Sequence, residues 1–151
     1  MPQAPAPSVA AIGGRPLHAM LVPFPIACLT LTLGADLAYW ATGNLMWQHF
    51  AEWLLLIAVV TGAVAALLGA IDLLVRRPLR RLRIGWIHGL GNLVALGLAV
   101  VNSFVHARDG WTGVVPWGIV LSAATVAVMA VTVWLGLSMV FRHGAGVARH
   151  D

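Results

Sequence analysis

Four apolar runs, at residues 17–41, 50–75, 84–106 and 114–141, take up nearly the whole chain. A helix rises about 1.5 Å per residue, so roughly 20 residues cross a hydrocarbon core about 30 Å thick. Each run exceeds that length. In lipid a spanning backbone must satisfy its own hydrogen bonds, and an apolar run this long does so as a helix. Only 9% of the residues are charged, against about 25% in a soluble domain. The expected fold is therefore all-α: a transmembrane four-helix bundle, antiparallel, with short loops. Residues 1–14 read as a disordered Pro/Ala/Gly leader without the basic start of a cleaved signal. Residues 15–142 read as one membrane domain and 143–151 as a short cytoplasmic tail.

Charge sets the expected orientation. Eight of the nine arginines (Arg15, Arg76, Arg77, Arg80, Arg81, Arg83, Arg142 and Arg149) fall at the termini or in the loop at residues 76–83, and only Arg108 falls in the other loops. The positive-inside rule then puts both termini in the cytoplasm of a multi-pass bacterial inner-membrane protein. So few basic groups, mostly in one cluster, give no reason to expect a nucleic-acid partner. The expected partners are the bilayer itself and, at the arginine loop, anionic lipid. Trp40, Trp47, Trp53, Trp111 and Trp117 fall at the outer interface and Trp86 at the inner one, as an aromatic belt does.

The third run carries a polar stripe. His88, Asn92, Ala95, Ala99, Asn102 and His106 are spaced four, three, four, three, four, so they share one helical face, which should meet protein rather than lipid. His18 and His88 lie at the cytoplasmic ends of their runs, and His49 and His106 at the outer ends. About 27 Å of helix separates His88 from His106, so a small ligand must pair histidines level by level: His18 with His88, and His49 with His106. Two imidazoles from separate helices are a way to hold b-type haem. On that reading His18 and His88 are the axial ligands, Asn92 supports them, and glycines 85, 89 and 91 let a porphyrin approach. The competing reading makes the same histidines interfacial hydrogen-bonding groups.

Acids inside spans are costly and draw attention to a site. Asp36 and Glu52 sit on the outer half, level with His49 and His106, and are expected either to form a hydrogen-bonded cluster or to line a proton path. Asp72, four residues before Arg76, reads as a structural ion pair. The fourth run, polar only at Ser122, Thr125, Thr132 and Ser138, reads as packing. Cys28 stands alone, which excludes a disulfide framework and a thiolate metal site. With no nucleophile–base pair, phosphate loop or zinc-protease motif, the chain is not expected to be an enzyme on its own.

The opening segment at residues 14–26, G-R-P-L-H-A-M-L-V-P-F-P-I, resembles that of a family of small four-helix bacterial membrane proteins, the domain-of-unknown-function 2231 type. Members are similar at an aspartate ending the first span (here Asp36), a glycine and aspartate before a basic loop (Gly69, Asp72), and a histidine with a following asparagine in the third span (His88, Asn92). Ala19 and Pro23 replace a proline and a second histidine usual in that segment. Similar domains occur joined to iron–sulfur or sugar-dehydrogenase domains, so the resemblance implies a redox partner protein. Two functions follow as expectations. One is a haem-b subunit passing electrons between that partner and quinone. The other is a non-catalytic scaffold or accessory subunit, in which an oligomer is compatible with the polar stripe.

Overall fold

A computed structural model of the protein describes residues 8–13, 15–108 and 110–143. The chain runs β1 (Ala11–Ile12), β2 (Arg15–Pro16), α1 (Leu17–Leu21), α2 (Pro23–Thr42), α3 (Leu45–Val75), α4 (Arg77–Arg80), α5 (Arg83–His106), α6 (Gly110–Val114) and α7 (Trp117–His143). Four segments are long and apolar enough to cross a membrane: Leu17–Thr42, Leu45–Val75, Arg83–His106 and Gly110–Arg142. They form the expected helical bundle.

Local chemistry explains the breaks. Pro23 and Pro25 lack N–H groups, so the helical hydrogen-bond ladder is interrupted where α1 passes into α2. The Val22 N–H still donates to the His18 carbonyl at 3.1 Å, so the backbone stays helical through the junction. Gly43, at φ 65°, closes α2 in the left-handed conformation that suits glycine, and its N–H reaches the Tyr39 carbonyl at 2.7 Å. Asn44 then caps α3 by accepting the Met46 N–H at 3.0 Å. The turn between the first two spans is thus two residues. Residues 45–49, expected in the loop, are helix, because Asn44 supplies a cap one turn earlier than the apolar pattern begins.

Between Ser8 and Gly13 the chain folds back toward the end of α3. Ser8 Oγ and the Val9 N–H (2.7 Å) both donate to the Asp72 carboxylate, and β1 pairs antiparallel with β2. Residues 1–7, Gly14, Asp109 and 144–151 lie outside the described residues, and with them His150 and most of the expected tail.

The bundle interior is built of small residues. Ala35, Ala51, Ala58, Ala65, Ala95 and Ala99 are buried, while Leu90, Leu93, Val101 and Phe104 of α5 face outward. Lipid gives no hydrophobic drive between helices, so close approach of small residues holds them together, and large apolar groups turn out. The α5 stripe faces protein, as its spacing predicts.

Helices α2 and α5 each pack on both α3 and α7, so α2 stands diagonally from α5. The two hairpins, α2–α3 and α5–α7, repeat one pattern. A shift of 70 residues carries Leu29, Thr32 and Asp36 onto Ala99, Asn102 and His106. A shift of 67 carries Ala51, Leu55, Ala58 and Ala65 onto Gly118, Ser122, Thr125 and Thr132. All fourteen positions are buried. Both hairpins enter from the same end, so the halves are parallel repeats about an axis along the membrane normal.

Candidate functional site

Polar groups gather at the two ends of this axis. At the end bearing the arginine loop, His18 of α1 donates from Nδ1 to the Ala65 carbonyl of α3 at 2.8 Å. His88 of α5 repeats the contact, with Nδ1 on the Thr132 carbonyl of α7 at 2.8 Å. A carbonyl oxygen only accepts, so each ring carries its proton on Nδ1. One helical turn beyond each carbonyl stands a glycine. A Cβ at Gly69 would lie 3.0 Å from His18 Nδ1, and one at Gly136 would lie 3.0 Å from His88 Cε1. The same device, a carbonyl at one position and a bare turn four residues later, therefore seats a histidine in each hairpin. The two rings meet edge to face with centroids 6.3 Å apart. The expected level pairing of His18 with His88 is present in space.

Asn92 stands where the sequence places it, one turn after His88. Its side-chain amide donates to His88 Nε2 at 3.0 Å and to the His88 carbonyl at 2.9 Å. The lone pair that His88 would offer a metal is therefore already taken. Among the described residues, no three His, Cys, Asp or Glu side chains group as a metal site. Asp72, just beyond Gly69 on α3, pairs with Arg76 at 3.4 Å and holds Ser8 and Val9, so it ties the leader to the basic loop.

The opposite end holds a closed ring of four side chains from three helices. His106 Nε2 meets Asp36 Oδ1 at 2.8 Å. His106 Nδ1 donates to the Asn102 carbonyl and to Asn102 Oδ1, both at 3.1 Å. Asn102 Nδ2 donates to Ser122 Oγ at 2.8 Å, and Ser122 donates to Asp36 Oδ2 at 2.6 Å. None of the four is more than 2% exposed. The ring closes when one proton is shared between Nε2 and Oδ1. The pair is then net neutral, which is the form a low-dielectric interior tolerates. Helix α3 joins through Gln48, whose amide donates to the carbonyls of His106 (3.3 Å) and Arg108 (3.2 Å) and to Glu52 (3.1 Å).

The structure thus joins Asp36 to His106 and separates His49 from both. His49 is exposed on the first turns of α3, and the expected His49–His106 pair does not form because Asp36 occupies that side of the ring. Glu52 stays outside the ring and meets it only through Gln48. Sequence reasoning missed Ser122 and Gln48. The 70-residue shift that relates His18 to His88 also relates Asp36 to His106, and it was the signal that would have joined them.

The family described as predicted membrane protein (DUF2231) matches residues 14–149. No curated protein and no solved structure matches the chain. With almost its whole length covered, and with His18, Asp36, Asp72, His88 and Asn92 standing as polar anchors of one four-helix bundle, the chain belongs to the DUF2231 family of membrane proteins.

Proposed function

We propose that this protein is an accessory membrane subunit whose polar interior fixes two helical hairpins in register and performs no chemistry alone. One observation carries the reading: His18, His88, Asn92, Asp36, Asn102, His106 and Ser122 each find a partner within the chain. Side chains so engaged serve as interhelical ties. The exposed Arg77, Arg80, Arg81 and Arg83 then hold the loop at a cytoplasmic, anionic lipid surface. A reporter fused after Asp151 is expected to work only in its cytoplasmic form. Periplasmic activity there overturns this placement of both termini.

The paired imidazoles favour a second reading, a b-haem subunit for electron transfer between a redox partner and quinone. Both rings have Nδ1 tied to a carbonyl, which fixes the tautomer and turns Nε2 into the basic nitrogen, as in histidines that ligate metals. The residues fit haem in type and level, with one condition: Asn92 must release His88 Nε2. Haem would supply the one-electron chemistry, and this chain would supply the two ligands and a dry surrounding. Protein purified in mild detergent from haem-replete cells discriminates the two readings. A Soret band that sharpens with dithionite and vanishes in His88→Ala supports the haem subunit, with His150→Ala as the unchanged control. Colourless folded protein removes that reading and leaves the accessory subunit.

A further inference from the structure

An open groove of about 330 Å³ runs between α3 and α5 on the outside of the bundle, at the end away from the arginine loop. Leu56, Val59, Val100 and Phe104 form its apolar walls, and Glu52 and Ser103 its polar mouth. The depth is informative. Glu52 stands seven residues into α3, about 10 Å from its end, and the 31-residue helix is about 46 Å long. That leaves about 8 Å of helix beyond each side of a 30 Å core, so the carboxylate lies near the boundary. Phe50, Trp53 and Trp40 are exposed at this end of the bundle, as belt residues are.

Glu52 is half-buried, and its described partner is the neutral amide of Gln48. Among the described residues no basic side chain lies within 4.0 Å of it. A carboxylate facing lipid without a cation is costly. Ser103 beside it donates its proton to the Ala99 carbonyl at 2.9 Å, which leaves its oxygen free to accept. The mouth therefore offers two acceptors to a donor that must carry positive charge. Ala107 ends the groove, and the next residue, Arg108, is exposed and is the sole arginine at this end among the described residues. A carboxylate and a guanidinium that are not paired with each other complement a zwitterion.

We propose that this groove binds a phospholipid with a primary-amine headgroup, of the phosphatidylethanolamine type. The ammonium donates to Glu52 and Ser103, Arg108 faces the phosphate, and one acyl chain lies along Leu56, Val59 and Val100. A primary ammonium has three N–H donors; a choline headgroup has the same charge and none. The groove thus selects by hydrogen bonding rather than charge alone.

Native mass spectrometry of the full chain, released from detergent with equal phosphatidylethanolamine, phosphatidylcholine and phosphatidylglycerol, tests this. The ethanolamine lipid is expected to be retained at least about fivefold over the choline lipid. Glu52→Ala, which removes the main acceptor for the ammonium, should bring the two close to parity, while Arg108→Ala should lower retention of all three alike. Val59→Phe, which fills the groove from the apolar side, should abolish retention without touching either charge. Equal retention of ethanolamine and choline lipids by the unaltered chain overturns the proposal. So does a preference that survives Glu52→Ala undiminished, or phosphatidylglycerol outcompeting the amine-headed lipid.

Discussion

Asp36→Ala will cost the bundle about 3 kcal/mol, near the lower end of what breaking a buried charged pair costs. The loss strips His106 and Ser122 of their shared acceptor at a fully buried position. Ser122→Ala, which removes one rung of the ring, should cost only about 1 kcal/mol, within the range for a single interhelical hydrogen bond in a membrane. Asp36→Asn should also be mild. Its amide can donate to Nε2 of a neutral His106, and its oxygen can still accept from Ser122, so the ring closes again without charge. Denaturation in mixed micelles measures all three. Asp36→Asn as damaging as Asp36→Ala would mean that charge, not hydrogen-bond closure, holds this end together. A double substitution of Asp36 and His106 by alanine should cost clearly less than the two single losses added, since each alone orphans the other.

Gly118→Ala is expected to be as severe. A Cβ there would stand 2.7 Å from the Gly113 carbonyl and 2.8 Å from His106 Cε1. Neither is the end of a flexible side chain, so the first turn of α7 must move off the ring. Overpacking of this kind costs about 3 kcal/mol at its upper range. Gly97→Ala, on the same bundle but with nothing within 4 Å of its Cβ, should leave the melting temperature unchanged. Gly91 lies between these cases. A Cβ there would collide with Thr132 Cγ2, so Gly91→Ala should destabilise, and Thr132→Ser, which deletes that methyl, should restore it. An unaltered melting temperature in Gly118→Ala would show that α7 does not seat His106 as described.

The fold was plain in the sequence because its cause is one-dimensional. Length and hydrophobicity alone demand spanning helices, and the spacing from His88 to His106 gives the face that α5 turns inward. The histidine pair at the arginine-loop end was legible from topology, since both residues end a helix on that side. The ring at the opposite end was not. Its members lie on three helices, and which of His49 and Asp36 reaches His106 depends on rotation about helix axes that hydropathy does not encode. Ser122 was unreadable for a related reason. A serine in an apolar run most often bonds to its own backbone, as Ser138 does to the Trp134 carbonyl at 2.9 Å. Asn44 moved the start of α3 because a cap acts through one side chain and leaves no trace in an averaged window.

The parallel relation of the two hairpins bears on how such a chain can be descended. Across a true two-fold, residue i meets residue j and j meets i, so only a position lying on the axis faces its own copy. His18 and His88 occupy one equivalent position of the two hairpins, as Asp36 and His106 do. Identical hairpins could set that position's histidine against histidine, but at a single equivalent position they could not set aspartate against histidine. The Asp36–His106 contact is open only to halves that are free to differ, which joining them in one polypeptide allows. The histidine pair at the arginine-loop end is compatible with identical halves, whereas the ring at the opposite end requires two halves that differ.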